Sequence, residues 1–280
     1  KKDDALVGSL GIYTTGFNDG KLNSGISRYA SRDLNDLVLT GLQRDISSRM
    51  GVEWARRGMW NRNYSETRLP SVPSMILETL SHQNFSDMQL GHDPAFKFVV
   101  ARSVYKSLLR FTAEMHRKEY TVQPLPVDHF AIREGEKKNT FRLTWNPVSD
   151  RNPDLTLKAA PGLVYTFKVT AVNRGGESFP SEMLSAYRAK KSRGTILIVN
   201  GFHRVSGPAS FSTGTQQGFD LQTDPGVPYL RTPEYCGYQQ DFDRSKAGIE
   251  TKGGLGYSGS ELEGTLMAGN TFDYPFVHGK

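Results

Sequence analysis

Glu78 is the side chain whose type and position best suit chemistry. It closes a short apolar run, Met75-Ile76-Leu77, within "PSMILETLSHQN", residues 73–84, and polar residues follow it: Thr79, Ser81, His82, Gln83 and Asn84. The run reads as a buried strand. In an open α/β sheet, ligands gather beyond the carboxyl ends of the strands. A carboxylate held there loses part of its hydration, which raises its pKa and suits it to moving protons. The expectation is an interior strand with Glu78 facing a cleft. Two structural roles compete for the same residue: support of the next turn, or an ion pair with one of the many arginines.

Other chemistry-bearing residues are scattered. His82 follows Glu78 by four, but the stretch reads as a turn after a strand. The same-face helical argument therefore fails, and a hydrogen-bonding loop histidine is expected. His92, His116, His129, His203 and His278 occur singly, and no G-x-S-x-G elbow accompanies the serines. The one cysteine, Cys236, lies in "RTPEYCGYQQ", a loop-like stretch, which excludes a disulfide framework or a Cys-based zinc site within this chain. "GLGYSG" matches G-x-G-x-x-G through Gly254, Gly256 and Gly259, but the preceding "AGIETK" is too polar for the buried strand a dinucleotide site needs. A P-loop motif is absent.

The elements that must position these residues fall into three regions. Residues 5–15 read as a strand and Gly16 to Gly25 as a loop. Leu34, Leu37, Val38, Leu42, Ile46 and Met50 then fall near helical spacing, with Ser31 as N-cap and Gly51 at the C-terminal turn. Residues 54–71 are polar and aromatic, and a strand follows at 74–78. A second helix is capped by Asp93 with Pro94 at its first position; its apolar stripe is Phe96, Val99, Val100, Val104, Leu108, Phe111 and Met115. Strand, helix, strand, helix predicts an α/β layer.

Near Tyr120 the period changes. "TVQPLPVDHF" reads as a linker, and "NTFRLTWNPV" and "LVYTFKVTAVN" alternate as antiparallel strands do. Residues 139–188 resemble a fibronectin type III domain: Trp145 matches the tryptophan of its second strand, and "YTFKVTAVNRGGESFPS" its sixth strand and following turn. Only 19 residues separate Trp145 from Tyr165, so the β-sandwich implied is a shortened one. From Arg193 onward, "GTILIVNGF" is an apolar run bounded by glycines and predicts a buried parallel strand, hence a partial α/β region. The expected domains are 1–118, 119–190 and 191–280.

The stretch "LPSVPSMILETLSHQNFSD" resembles the end of the catalytic domain of zinc-dependent N-acetylmuramoyl-L-alanine amidases. Pro73 to Leu77 and Glu78 match that family's closing strand and catalytic acid, and Asn84 and Asp87 match its later polar positions. Leu80-Ser81-His82 departs from its Gly-Phe-aliphatic turn. The strand before and the helix after are in family order, so the resemblance covers about residues 5–118, the second half of such a domain. It implies metal-assisted amide hydrolysis, with zinc bringing a bound water to a pKa of about 7. Glu78 would take that water's proton and pass it to the leaving amine, and Asn84 and Arg68 are the expected substrate contacts. The family's zinc ligands, two His and one Glu, precede its Gly-rich strand. Here only Lys1 to Asp4 lie there, so no metal ligand is carried over and the ligands are expected upstream of Lys1. The chain starts at Lys1 without an initiator Met and reads as part of something longer.

Composition narrows the partners. The formal charge is +6, and residues 1–118 hold 17 basic and 12 acidic side chains, leaving 18 and 17 in the rest. The excess lies in the first third, scattered along helices and loops with Arg56-Arg57 as a tight pair, so a nucleic-acid stripe is not expected. No run approaches the length of a membrane span. The three-part order resembles large exported proteins of Bacteroidetes-type bacteria sometimes labelled xanthan lyases, although no residue pattern here supports polysaccharide elimination. The resemblance implies an exported protein whose partner is peptidoglycan or another envelope glycan. Two readings stand: a cell-wall amidase, or an envelope binding or scaffold protein with a degenerate catalytic fold.

Overall fold

The computed structural model describes residues 5–146, 154–199, 207–220, 223–224, 241–243 and 259–260. Helices and several small sheets are combined in a mixed α/β chain. Contacts divide it into two compact units: Lys1–His116 with Phe202–Lys280, and Arg117–Gly201.

The first unit opens with β1 (Ser9–Tyr13), α1 (Tyr29–Met50), β2 (Arg56–Asn61), α2 (Ser65–Arg68), β3 (Ile76–Glu78), α3 (Phe85–Gly91) and α4 (Pro94–Met115). Strands β1 and β2 are parallel, joined by α1 as the crossover a parallel pair requires. Strand β3 lies antiparallel on the other side of β1, giving the order β2-β1-β3. Gly11 lets α1 approach β1, because a Cβ there would sit 2.0 Å from Asn35 Oδ1. Leu34, Val38, Leu42 and Ile46 of α1 close a core with Trp54 and Phe96, against which Met75 and Leu77 also pack. Burial of each large side chain stabilises the unit by roughly 1.5–3 kcal/mol.

Helix ends follow local chemistry. Asp93 accepts the Ala95 N–H at 2.8 Å, with Pro94 next in the first turn, and Gly51 ends α1 at φ 67°. Helix α1 begins at Tyr29, two residues before the expected cap. Ser31 is instead buried and its Oγ accepts the Ser74 N–H at 3.1 Å, tying the approach to β3. Leu108 and Met115 of α4 are exposed, so its buried stripe is narrower than the spacing predicts.

In the second unit, β4 (Asp128–Glu134), β5 (Thr140–Asn146) and β6 (Asp154–Lys158) form an antiparallel sheet in that order. Strand β7 (Val164–Phe167) pairs with β10 (Leu184–Tyr187), and β8 (Val172–Asn173) with β9 (Gly176–Glu177) closes a hairpin between them. Phe141 and Leu143 are buried, and Phe141 meets the Tyr165 ring edge-on at 6.3 Å. The Tyr165 hydroxyl accepts the Ala160 N–H at 2.8 Å, closing the corner that leads into β7.

One expectation is corrected here. Residues 194–199 carry no strand, and Ile196, Leu197, Ile198 and Val199 are 77–88 % exposed. No described strand pairs with this run, and an apolar run becomes a buried strand only where a ladder receives it. The α/β region expected at 191–280 falls mostly outside the described residues, and those that are described carry strands. They form an antiparallel sheet of β11 (Ala209–Ser212), β12 (Gln216–Asp220), β13 (Asp241–Asp243) and β14 (Gly259–Ser260). This region joins the first unit, where Phe219 packs on Phe85 and Met88 of α3.

Candidate functional site

Glu78 ends β3, as its sequence position predicts, but its surroundings differ from the expectation. Strand β3 is the outer strand of the described sheet, and Glu78 is exposed. Because β3 runs against β1, Glu78 pairs with Leu10, near the entry end of β1. Its strand's carboxyl end therefore lies beside the amino ends of β1 and β2, away from their carboxyl ends. Among the described residues nothing hydrogen-bonds or ion-pairs with its carboxylate.

The turn behind Glu78 is fixed from several directions. Ser9 Oγ donates to the Thr79 carbonyl at 2.7 Å and accepts from Trp54 Nε1 at 3.0 Å. Asn84 is the N-cap of α3: its Oδ1 accepts the Asp87 N–H at 2.8 Å and its Nδ2 donates to the Ala5 carbonyl at 2.9 Å. Asp87 accepts the Val7 N–H through Oδ1 and the Ser81 N–H through Oδ2, both at 2.8 Å. Both side chains are fully buried. Burial pushes the Asp87 carboxyl up to about 6, against the backbone donors of Ser81, Val7 and Gly8 and the charge of Arg57. Asn84, expected at the substrate, thus has both polar atoms engaged in the turn itself.

Arg68 sits elsewhere, at the end of α2, where its Nη1 donates to Asn63 Oδ1 at 3.3 Å. It stands over the Phe17 ring at 5.7 Å, and Arg28 is also over that ring at 5.1 Å. Arg28 is fully buried and donates to the Lys21, Thr67 and Arg68 carbonyls, pinning the loop after β1 to α2. This loop follows the carboxyl end of β1, whereas Glu78 lies beside its entry end, so Arg68 and Glu78 belong to opposite ends of the sheet.

His82 is exposed in the turn after β3. His92 is buried and edge-on to Phe219 at 4.6 Å; burial, helped by Lys97, lowers its pKa to about 4 and keeps the imidazole neutral. Cys236, His203, His278 and most of "GLGYSG" lie outside the described residues. In the second unit, Gln123, Lys168, Thr170, Glu177, Ser178, Phe179 and Pro180 line an open depression of about 400 Å³.

Among the described residues no three His, Cys, Asp or Glu side chains converge as a metal site requires, and the zinc ligands are expected upstream of Lys1, not among them. Compared with protein-family models, with curated proteins and with solved structures, the chain gives no match. Sequence reasoning placed Asn84 and Asp87 in a motif but missed what they do. The signal was present: an Asn followed three residues later by an acid opens a helix.

Proposed function

We propose that the chain serves a cell-wall hydrolase similar to N-acetylmuramoyl-L-alanine amidases, with Glu78 as the general base. The supporting observation is the pairing of an unengaged carboxylate with a rigid mount. Glu78 has no partner among the described residues, while the turn that follows it is clamped by Ser9, Asn84 and Asp87. A proton-transferring group gains from such a mount, because misplacement by about 1 Å can cost a factor of about 100 in rate.

In the reaction, water attacks the carbonyl carbon of the amide joining the lactyl group of muramic acid to L-alanine. Glu78 takes a proton from that water. The C–N bond then breaks, and Glu78 returns the proton to the departing amine. The described residues form no zinc site, so this chain's own contribution is the carboxylate and the scaffold that aims it.

The second unit fits a shortened fibronectin-like sandwich that holds the protein near envelope glycan. Its β4-β5-β6 sheet, its β7–β10 pair and the tyrosine at the corner before β7 support that reading. Among the described residues no helix is long and apolar enough to cross a membrane. An exported location follows from the substrate proposed.

The test is peptide release from purified sacculi by the full-length protein and its Glu78→Gln variant at matched zinc loading; this chain, without the upstream ligands, is expected to release none. A fall of about two to four orders of magnitude is expected. Equal rates would remove Glu78 from the mechanism. The exposed, outer-strand position of Glu78 favours a second reading, a non-catalytic envelope-binding protein. Retention on sacculi without release by either protein selects it.

A further inference from the structure

The two faces of the β2-β1-β3 sheet have different roles. Gly11 faces α1, and its ladder neighbours Met59 and Leu77 share that face. Side chains alternate along a strand, so the rows on either side face the other way. Those rows are Gly58, Leu10 and Glu78, then Trp60, Ile12 and Ile76. Glu78 therefore shares its face with Trp60, two strands across and two residues along, a Cα separation of about 12 Å. The indole folds back over Gly58 toward the Glu78 row: a Cβ on Gly58 would lie 3.4 Å from Trp60 Nε1 and 3.5 Å from Leu10 Cδ1.

Trp60 is 41 % exposed, and two guanidinium groups stand by its ring, Arg57 at 5.9 Å and Arg62 at 6.0 Å. Neither forms a salt bridge with a described acid. A half-exposed indole beside the exposed Arg62 guanidinium, with Arg57 also close although its charge partly serves the buried Asp87, suits a ligand with a flat apolar ring face and nearby carboxylates. We propose that Arg57, Trp60 and Arg62 form a binding subsite for a carboxylate-bearing glycan strand. The indole stacks on the C–H face of a pyranose ring, and the guanidinium groups pair with acidic substituents. This rests on the hydrolase reading in one respect, the peptidoglycan class of the ligand; Leu10 and Ile12, which lie between Trp60 and Glu78 on that face, are buried.

The experiment is calorimetric titration of the whole chain with a soluble peptidoglycan fragment, a disaccharide carrying its acidic stem peptide. A neutral chitooligosaccharide and a single-stranded oligonucleotide are the comparison ligands. Trp60→Ala is expected to weaken fragment binding by about tenfold or more, and the exposed Arg62→Gln by about fivefold. Circular dichroism checks that the variants fold, and Arg62→Gln carries the test if Trp60→Ala does not. Failure of the wild type to bind the fragment overturns the proposal, as do unchanged affinities in folded variants. Equal binding of the neutral glycan removes the carboxylate recognition, and equal binding of the oligonucleotide reassigns the patch. Lost binding in Trp60→Ala, with no peptide release by the full-length protein, would keep the subsite and discard the catalysis.

Discussion

Asp87 accepts the Val7 N–H at 2.8 Å across a sequence separation of 80 residues, while its second oxygen accepts from Ser81 only six residues away. One buried carboxylate thus joins the segment entering β1 to the turn leaving β3. Those segments flank Leu10 and Glu78, which pair directly. The geometry of the candidate base is set by a residue that does not touch it.

Replacing Asp87 by Asn puts a donor where one backbone N–H now donates. The expected loss is about 2–3 kcal/mol, the cost of leaving a buried donor unmatched. Urea denaturation of the two proteins at pH 7 measures it. Asn84→Ala removes a cap and a link to Ala5 and should cost about 1–2 kcal/mol.

Asp87 and His92 make opposite demands on pH. The Asp87 carboxyl rises from 3.8 to about 6 on folding, so the folded state holds its proton more tightly. Its contribution is full below pH 3.8 and is lost as pH rises through 6. His92 falls from 6.5 to about 4, so its contribution is full above pH 6.5 and is lost as pH falls through 4. Between pH 4 and 6 the two slopes oppose each other. Relative to wild type, Asp87→Asn should lose stability more steeply on acidification, and His92→Gln should gain stability on acidification. Denaturant midpoints at pH 4.5 and 6.5 check both signs, and parallel profiles for all three proteins would contradict the assignment.

What the sequence made legible was local. Asp93 and Pro94 announce α4, and Gly51 announces the end of α1, because caps depend on neighbours along the chain. That Glu78 ends a strand was legible from Met75-Ile76-Leu77. That β3 lies outermost and antiparallel was not, because pairing direction is decided by partners distant in sequence. Strand β2, "RRGMWN", was missed because its residues are only partly buried and carry little apolar alternation. The run at 196–199 misled in the opposite sense: it is apolar enough for a core, and no described strand receives it. Asn84 and Asp87 were visible as a pattern, but their reach to Ala5 and Val7 appears only when the chain is folded.

Gly41 lies at a close approach of α1 to α4. A Cβ there would lie 2.6 Å from Ser107 Oγ, a hydroxyl held by the Ser103 carbonyl at 2.9 Å and the Leu37 carbonyl at 3.3 Å. Ala favours a helix over Gly by about 1 kcal/mol, but overpacking at a fixed contact costs about 1–3 kcal/mol. Gly41→Ala should therefore be neutral to destabilising alone. In a Ser107→Ala background it should stabilise by about 1 kcal/mol. A double-mutant cycle by urea denaturation reads that coupling.

Tyr165 offers the sharpest test of the second unit. Its ring lies edge-on to Phe141 and stacks beside Phe167, both at 6.3 Å, while its hydroxyl accepts the Ala160 N–H at 2.8 Å. The ring joins the β4-β5-β6 sheet to the β7–β10 pair, and the hydroxyl fixes the corner between β6 and β7. These contributions separate by substitution. Tyr165→Phe keeps the ring and loses one partly exposed hydrogen bond, at about 0.5–1.5 kcal/mol. Tyr165→Ala also loses the aromatic contacts and should cost about 3 kcal/mol. Hydrogen exchange of the whole chain localises the effect: the Ala160 amide should lose protection in both variants, and the Leu143 amide in β5 mainly in Tyr165→Ala. Equal destabilisation by the two variants would mean that the hydroxyl, not the ring, holds the sheets together.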